Sequence, residues 1–342
     1  MGGVKLTALS CALSKTEAFS DILPVDLEPM QVKGLCHAHV RIAQRGLILR
    51  IPRESSLGLS PEENLAYQEM SFERASVGGH TPVLHGTIPP QDEIPMGALI
   101  VTEVFGRTPP LPDGLPAIAR ALASFHALPV PSQADRFPLL SHNDPVAATL
   151  QVIEAQAKFL ADADLEPEAR LQIEEELINA RKFAGDVSGR QMPITLVGSD
   201  THPGNFILQP DGDAIFVDLE KVLYGSPAID LAHATVYTST MWDPDVAAAL
   251  DKAEIAAFYD AYFGELPPAL AQRVHPWCTP LRRLTWLRTI TWCAKWKVVS
   301  RKCALSNDIQ YSPDYILSVQ KRVDDYFDPG TISEIRAGFD DY

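Results

Sequence analysis

Apolar and polar positions alternate in short runs through the first hundred residues and recur at helical spacing through most of the rest. Residues 40–43 and 47–51 read as two strands joined by a turn at Gln44, Arg45 and Gly46, and residues 97–106 read as a further strand ending in a turn. Between them Ser60, Pro61 and Glu63 mark a helix start, as N-cap, first helical residue and completed capping box, and the spacing carries that helix to about Ala75. Ser14 and Glu17 repeat the box and predict a short helix towards Leu23. Residues 6–13 are mildly apolar, too short and weakly flanked for a signal peptide.

Beyond Pro109 the pattern is helical. Ile118, Leu122 and Phe125 share one face of a helix over 115–128 that ends at Pro129. His126 on that helix reads as a packing residue. Residues 146–163 and 166–183 read as amphipathic helices, and Ser226-Pro227 opens another. Residues 252–262, 269–301 and 313–326 complete the set, the middle one broken at Pro276 and Pro280. Short strands over 205–208 and 214–217, joined by a turn through Asp211-Gly212, interrupt the helical region.

The chain's 342 residues predict two lobes or domains, and a 46% hydrophobic content suffices for a core. The five cysteines contain no Cys-x-x-Cys pair and no metal-ligand spacing, which points to a reducing cytoplasm. No apolar run reaches membrane-spanning length, and a net charge of −15 argues against nucleic acid or an anionic membrane as partner. The charge is uneven, because residues 266–307 carry eight basic side chains and no acidic one. That segment either neutralises the acidic remainder or lines a site for an anion. It also bears Trp277, Trp286, Trp292 and Trp296, of which Trp292 and Trp296 share a helical face. Such rings can hold a quaternary ammonium group, although core packing is their commoner use.

Candidate chemistry centres on the hairpin. Asp200 and Asn205 precede its first strand and Asp218 ends its second, so folding brings the three together. Asn and Asp oxygens suit a hard cation such as Mg²⁺, which keeps phosphate oxygens in its shell, and a remaining Asp is then free to take a proton from a hydroxyl.

Asp200-Thr201-His202-Pro203-Gly204-Asn205, followed by Val217-Asp218-Leu219-Glu220 and by Gly225-Ser226-Pro227-Ala228-Ile229-Asp230, resembles the aminoglycoside phosphotransferase and choline kinase superfamily. The resemblance implies an α+β, two-lobed, protein-kinase-like fold, with a small β-rich nucleotide-binding lobe over residues 1–106 and a larger helical lobe over 107–342 holding the catalytic loop and acceptor site. It implies Asp200 as catalytic residue, Asn205 and Asp218 as metal ligands and Asp230 as a brace for the loop. On the nucleotide side it implies Arg50 as the phosphate-gripping residue, Glu69, or alternatively Glu73, as its partner, and a hinge at Glu103 and Phe105. The loop at 33–39 that would cover the phosphates holds a single glycine, Gly34, and Gly198 stands where the family usually has a histidine. The implied reaction is ATP- and Mg²⁺-dependent transfer of the γ-phosphoryl group to a hydroxyl of a small molecule: an aminoglycoside, a choline-like amino alcohol or a sugar. A catalytically silent binding protein and a kinase acting on a protein are the alternatives. The sequence leaves the acceptor's charge and the oligomeric state open.

Overall fold

A computed structural model describes residues 5–30, 37–306 and 313–339. Most of the loop read at 33–39 lies outside them. The early alternating runs form a five-stranded antiparallel sheet of β1 (Leu27–Pro29), β2 (His37–Ile42), β3 (Leu47–Pro52), β4 (Leu84–Ile88) and β5 (Ala98–Thr102), in the order β1-β2-β3-β5-β4. One face of the sheet places Val40, Ile42, Leu49, Ile51 and Ile100 in a core with Leu9 and Leu13 of helix α1 (Leu6–Leu13). The opposite face turns Leu99 and Val101 into the main core with Leu65 and Phe72 of α2 (Pro61–Ala75).

The capping box at Ser60 forms as expected, with Ser60 Oγ accepting from Glu63 N. The one expected at Ser14 does not. The helix there is α1, which precedes it, and Ser14 caps its C-terminal end with Oγ donating to Cys11 O at 2.9 Å. Within the stretch expected to be helical only a single 3₁₀ turn forms, at Glu17–Phe19. Residues 6–13 were therefore a helix start hidden in a weak apolar signal.

The helical remainder contains α3 (Leu115–His126), α4 (Pro145–Ala157), α5 (Pro167–Val187), α6 (Pro227–Thr235), the short α7 (Tyr237–Thr240), α8 (Lys252–Glu265), α9 (Pro268–Val274), α10 (Cys278–Ser306), α11 (Pro313–Tyr326) and α12 (Pro329–Ala337). α3 is buried on nearly every side and is the axle of this part. The segment expected over 269–301 breaks once, at the 3₁₀ turn His275–Trp277 that holds Pro276. Pro280 falls in the first turn of α10, where a missing N–H costs nothing, so the helix continues through it.

Two small ribbons lie between sheet and helices. β6 (Thr195–Val197) pairs with β9 (Leu223–Gly225), and β7 (Phe206–Leu208) with β8 (Ala214–Phe216) as the predicted hairpin. The chain leaving β5 bridges this hairpin, since Arg107 N donates to Leu208 O at 3.0 Å and Leu208 N to Arg107 O at 2.7 Å. The approach needs glycine at 106, where a Cβ would lie 2.3 Å from Leu208 O. Among the described residues no helix is long and apolar enough to cross a membrane.

Candidate active site

The ribbons bring the polar residues of the hairpin together. Asp200 and Asn205 sit in the loop between β6 and β7, and Asp218 follows β8. Val217 N donates to Asn205 O at 2.9 Å, and Asn205 Nδ2 donates to Asp200 O at 2.8 Å, tying the three positions into one turn. Asp230, fully buried on α6, accepts from Gly198 N at 2.6 Å and Ser199 N at 2.8 Å, while its own carbonyl accepts from Thr201 Oγ1 at 2.8 Å. Its remaining partner is His126 of α3, whose Nε2 lies 3.0 Å from Asp230 Oδ2 and whose Nδ1 lies 2.9 Å from Tyr262 Oη. His126 is thus the buried packing residue its helical position suggested.

Lys221 was not singled out in the sequence, yet it decides the electrostatics. Its Nζ donates to Asp200 Oδ2 at 2.6 Å and stands 3.6 Å from Glu220 Oε1. Burial alone pushes the Asp200 carboxyl up, but the Lys221 charge outweighs it and holds Asp200 well below the usual carboxylate range. The Asp200 charge in turn raises Lys221, against the effect of burial. Asp200 is therefore ionised at neutral pH. His233 Nε2 is 3.9 Å from Asp200 Oδ1; burial drives that imidazole down to about 3, leaving it neutral. Glu220 behaves oppositely, pushed up to about 7 by burial and by the Asp218 charge.

Across the cleft, β3 presents Arg50. Its guanidinium pairs with Asp218, and Nη1 donates to Val217 O at 3.2 Å. His39 stands opposite Arg50 in the β2–β3 register, and His37, two positions along, approaches Arg50 Nη2 at 3.4 Å. Burial and the Arg50 charge push both imidazoles down, His39 to about 4. Neither Glu69 nor Glu73 is among the hydrogen-bonded or ion-paired partners of Arg50; Glu69 is raised by burial and by Glu73 instead. The α2 side chain that reaches this cluster is Gln68, which is almost fully buried and acts on His37. A helix shows one face to the cleft, and a reading by spacing misses that face when it is one residue out of phase.

Glu103 and Phe105 differ in placement. Glu103 lines the cleft with its side chain held by Arg41 Nε at 2.6 Å, while Phe105 is 59% exposed and lies outside the cavity lining. Of the expected hinge, Glu103, Val104 and Gly106 border the cavity.

The cavity between sheet and helices measures about 1490 Å³ and is lined by Arg50, Asp200, Asn205 and Asp218 together. Buried polar atoms without a hydrogen-bond partner among the described residues gather on its sheet side: Arg50 Nε, Gln68 Oε1, and His37 Nε2 and Glu220 Oε2, which lie 3.7 Å apart. Among the described residues no trio of His, Cys, Asp or Glu is grouped as for a protein-only metal site. The donor set does fit Mg²⁺ completed by phosphate, because Asn205 commits its Nδ2 to Asp200 O and keeps Oδ1 for a hard cation beside the Asp218 carboxylate.

At the far end the cavity is walled by Trp242 and Trp292, whose rings meet edge to face at 5.4 Å. The other tryptophans of the basic segment serve elsewhere, with Trp286 buried against Phe339 and Trp277 and Trp296 packed on the core. Trp242 gave no pattern signal, since it falls in the irregular stretch after α7.

The sequence profile of a phosphotransferase enzyme family matches residues 38–272, which contain Arg50, Asp200, Asn205, Asp218 and Asp230. No curated protein matches the chain significantly. Among solved structures, a choline/ethanolamine kinase family protein from Mesorhizobium loti is 16% identical, with 96% of this chain and 93% of that chain covered at a TM-score of 0.58. An ethanolamine kinase from Plasmodium vivax is 13% identical over 94% of this chain and 88% of its own, at 0.61. The GDP complex of an aminoglycoside 2′-phosphotransferase-IIIa is 12% identical over 94% and 98%, also at 0.61. At such identities the likeness is one of fold, and the two-lobed kinase-like architecture expected from the motifs is the one found.

Proposed function

The chain belongs to the phosphotransferase enzyme family, and from that premise we propose that it transfers the γ-phosphoryl group of ATP to a hydroxyl of a small molecule. The observation that carries this reading is the convergence of Asp200, Asn205 and Asp218 on one cavity, with Arg50 reaching Asp218 from the opposite wall. We take Gly106 as the boundary between a nucleotide lobe and an acceptor lobe. The free Cys11, Cys278 and Cys293 are in keeping with a reducing cytoplasm.

In this mechanism Asp200, ionised under the influence of Lys221, accepts a hydrogen bond from the acceptor hydroxyl and aims its oxygen at the γ-phosphorus. As the new O–P bond forms, the bond from the γ-phosphorus to the β,γ-bridging oxygen breaks. The hydroxyl becomes acidic late in that process and gives its proton to Asp200. Arg50 offsets phosphate charge from the sheet side. Asn205 and Asp218 would hold Mg²⁺, which supplies charge neutralisation on the β- and γ-phosphates when bound.

Calorimetric titration with a non-hydrolysable ATP analogue, with and without Mg²⁺, tests the nucleotide site. Wild type is expected to bind in a Mg²⁺-dependent manner, Asp218→Ala to lose that dependence, and Asp200→Asn to keep it while losing turnover. Unchanged Mg²⁺-dependent affinity in Asp218→Ala refutes the ligand assignment. Absence of binding in wild type favours a silent binding protein.

A further inference from the structure

The acceptor end of the cavity carries its own cation on its own aromatic wall. The Arg322 guanidinium lies over the Trp242 ring, 5.0 Å from its centroid, and Trp242 meets Trp292 edge to face. This is the seat that a quaternary ammonium or other cationic group would take by cation–π attraction, and a side chain of the protein fills it. Arg322 Nε is buried without a partner. One helical turn beyond Trp292 on α10, Lys295 stands exposed at the cavity edge. Among the described residues neither Arg322 nor Lys295 is paired with a carboxylate, whereas three further cations of the cavity are engaged: Arg50 by Asp218, Lys221 by Asp200, and Arg288 by the carbonyl of Ser199 at 3.1 Å.

The acids of this end do not cancel the pair. Asp243 accepts from Asp245 N at 2.9 Å through Oδ1, and its other oxygen is seated against Gly204, where a Cβ would lie 2.5 Å from it. Asp245 is itself partnered. The Asp243 carboxylate is therefore turned to the catalytic loop, and the aromatic corner is left with a surplus of positive charge.

We propose that the acceptor is a hydroxy acid: a small molecule that places a flat or apolar segment against the corner formed by Trp242 and Trp292 and an anionic group, such as a carboxylate, between Arg322 and Lys295, with its hydroxyl at Asp200. This assignment rests on the phosphotransfer reading and narrows it, setting choline-like and polycationic acceptors aside. A guanidinium stacked on an aromatic ring keeps its N–H edge free for a carboxylate, and a lysine at the rim completes the charge match without a second buried cation.

Three probes that share one hydroxymethylphenyl frame and differ in charge provide the test: 4-(hydroxymethyl)benzoate, 4-(hydroxymethyl)benzamide and the corresponding (hydroxymethyl)phenyl trimethylammonium ion. Each is titrated by tryptophan fluorescence into protein saturated with the Mg²⁺ complex of the ATP analogue, whose own binding is measured first. The carboxylate is expected to bind about tenfold more tightly than the amide, and the ammonium ion more weakly than either. Lys295→Gln and Arg322→Gln should each shrink the carboxylate preference and leave nucleotide affinity unchanged. Lys295 is exposed, so its variant keeps the test open should Arg322→Gln disturb folding. Tighter binding of the ammonium ion, or binding of none of the three while the nucleotide still binds, overturns the acceptor assignment. Failure of the nucleotide itself to bind is the separate failure of the phosphotransfer reading.

Discussion

A histidine at position 198 would require its neighbours to move. A Cβ there would lie 2.7 Å from Thr201 Cγ2 and 2.8 Å from the Phe216 ring, so the usual family residue does not fit this packing as it stands. The loop's support comes from His126, which reaches Asp230 from α3 and fixes the carboxylate that holds Gly198 N and Ser199 N. Ser199 occupies the left-handed region at φ 65°, a conformation costing about 1–3 kcal/mol, and is held there by Asp230 on its N–H and Arg288 on its carbonyl. Beside this rigid turn, Lys221 is the residue on which the reactivity of Asp200 depends. Its charge opposes burial and keeps the carboxylate ionised. The active form is the ionised one, so activity is lost as pH falls through the Asp200 pKa, and removing Lys221 raises that pKa. Lys221→Met is therefore expected to move the acid limb of the kcat/KM profile to higher pH and to lower kcat by about a hundredfold. An acid limb at the wild-type position would show that Lys221 does not tune Asp200.

At the scale of elements, α10 resolves the two roles open to the basic segment by dividing them between its faces. Arg288, Trp292 and Lys295 recur at helical spacing and line the cavity. Arg283, Lys297 and Arg301 point elsewhere and pair with Glu176, Asp324 and Asp164, tying α10 to neighbouring segments. The strongest of these ties is Glu176 on α5, nearly fully buried, which accepts from Arg283 Nε at 2.5 Å and Arg336 Nε at 2.8 Å and so joins α5, α10 and α12. Burial raises this carboxyl, but the two guanidinium groups prevail and hold it below its ordinary range. A depressed carboxylate contributes stability above its unfolded-state pKa and loses it as pH falls. Glu176→Gln is thus expected to cost about 3 kcal/mol in urea unfolding at pH 7, with the gap to wild type closing below about pH 4. A gap that stays constant with pH would remove the ion pairs as its cause. The same division shows what the sequence could reveal. The hairpin, the Ser60 helix and the spaced Asp200, Asn205, Asp218 and Asp230 were legible, because turn chemistry and local spacing fix them. Lys221 with Asp200, Gln68 in place of Glu69, and the Trp242 corner depend on which face a residue shows after distant segments pack, and local pattern carries no such information.

For the molecule as a whole, the cleft is a seam between two walls that share one core, the sheet's inner face with α2 on one side and the ribbons with the helices on the other. The sheet's outer face and α1 form a separate small core, while α2 and the sheet's inner face join the large one with the helices. Tyr67 Oη, donating to Val222 O at 2.6 Å, and the Arg50–Asp218 ion pair stitch across the seam. A ligand that engages both walls stabilises the assembly by binding the folded state alone. At a hundred times its Kd the gain is about 2.7 kcal/mol, which for a chain of this length is a rise of about 4 °C in Tm. The Mg²⁺ complex of the ATP analogue is expected to produce that rise in wild type by differential scanning calorimetry, and the metal-free analogue a smaller one. In Asp218→Ala two effects should appear together: a lower starting Tm, because Arg50 is left buried without its carboxylate, and a loss of the Mg²⁺-dependent increment. A full increment in that variant would mean that nucleotide and metal are held by groups other than those gathered at the hairpin, and that the seam closes without the Arg50–Asp218 contact.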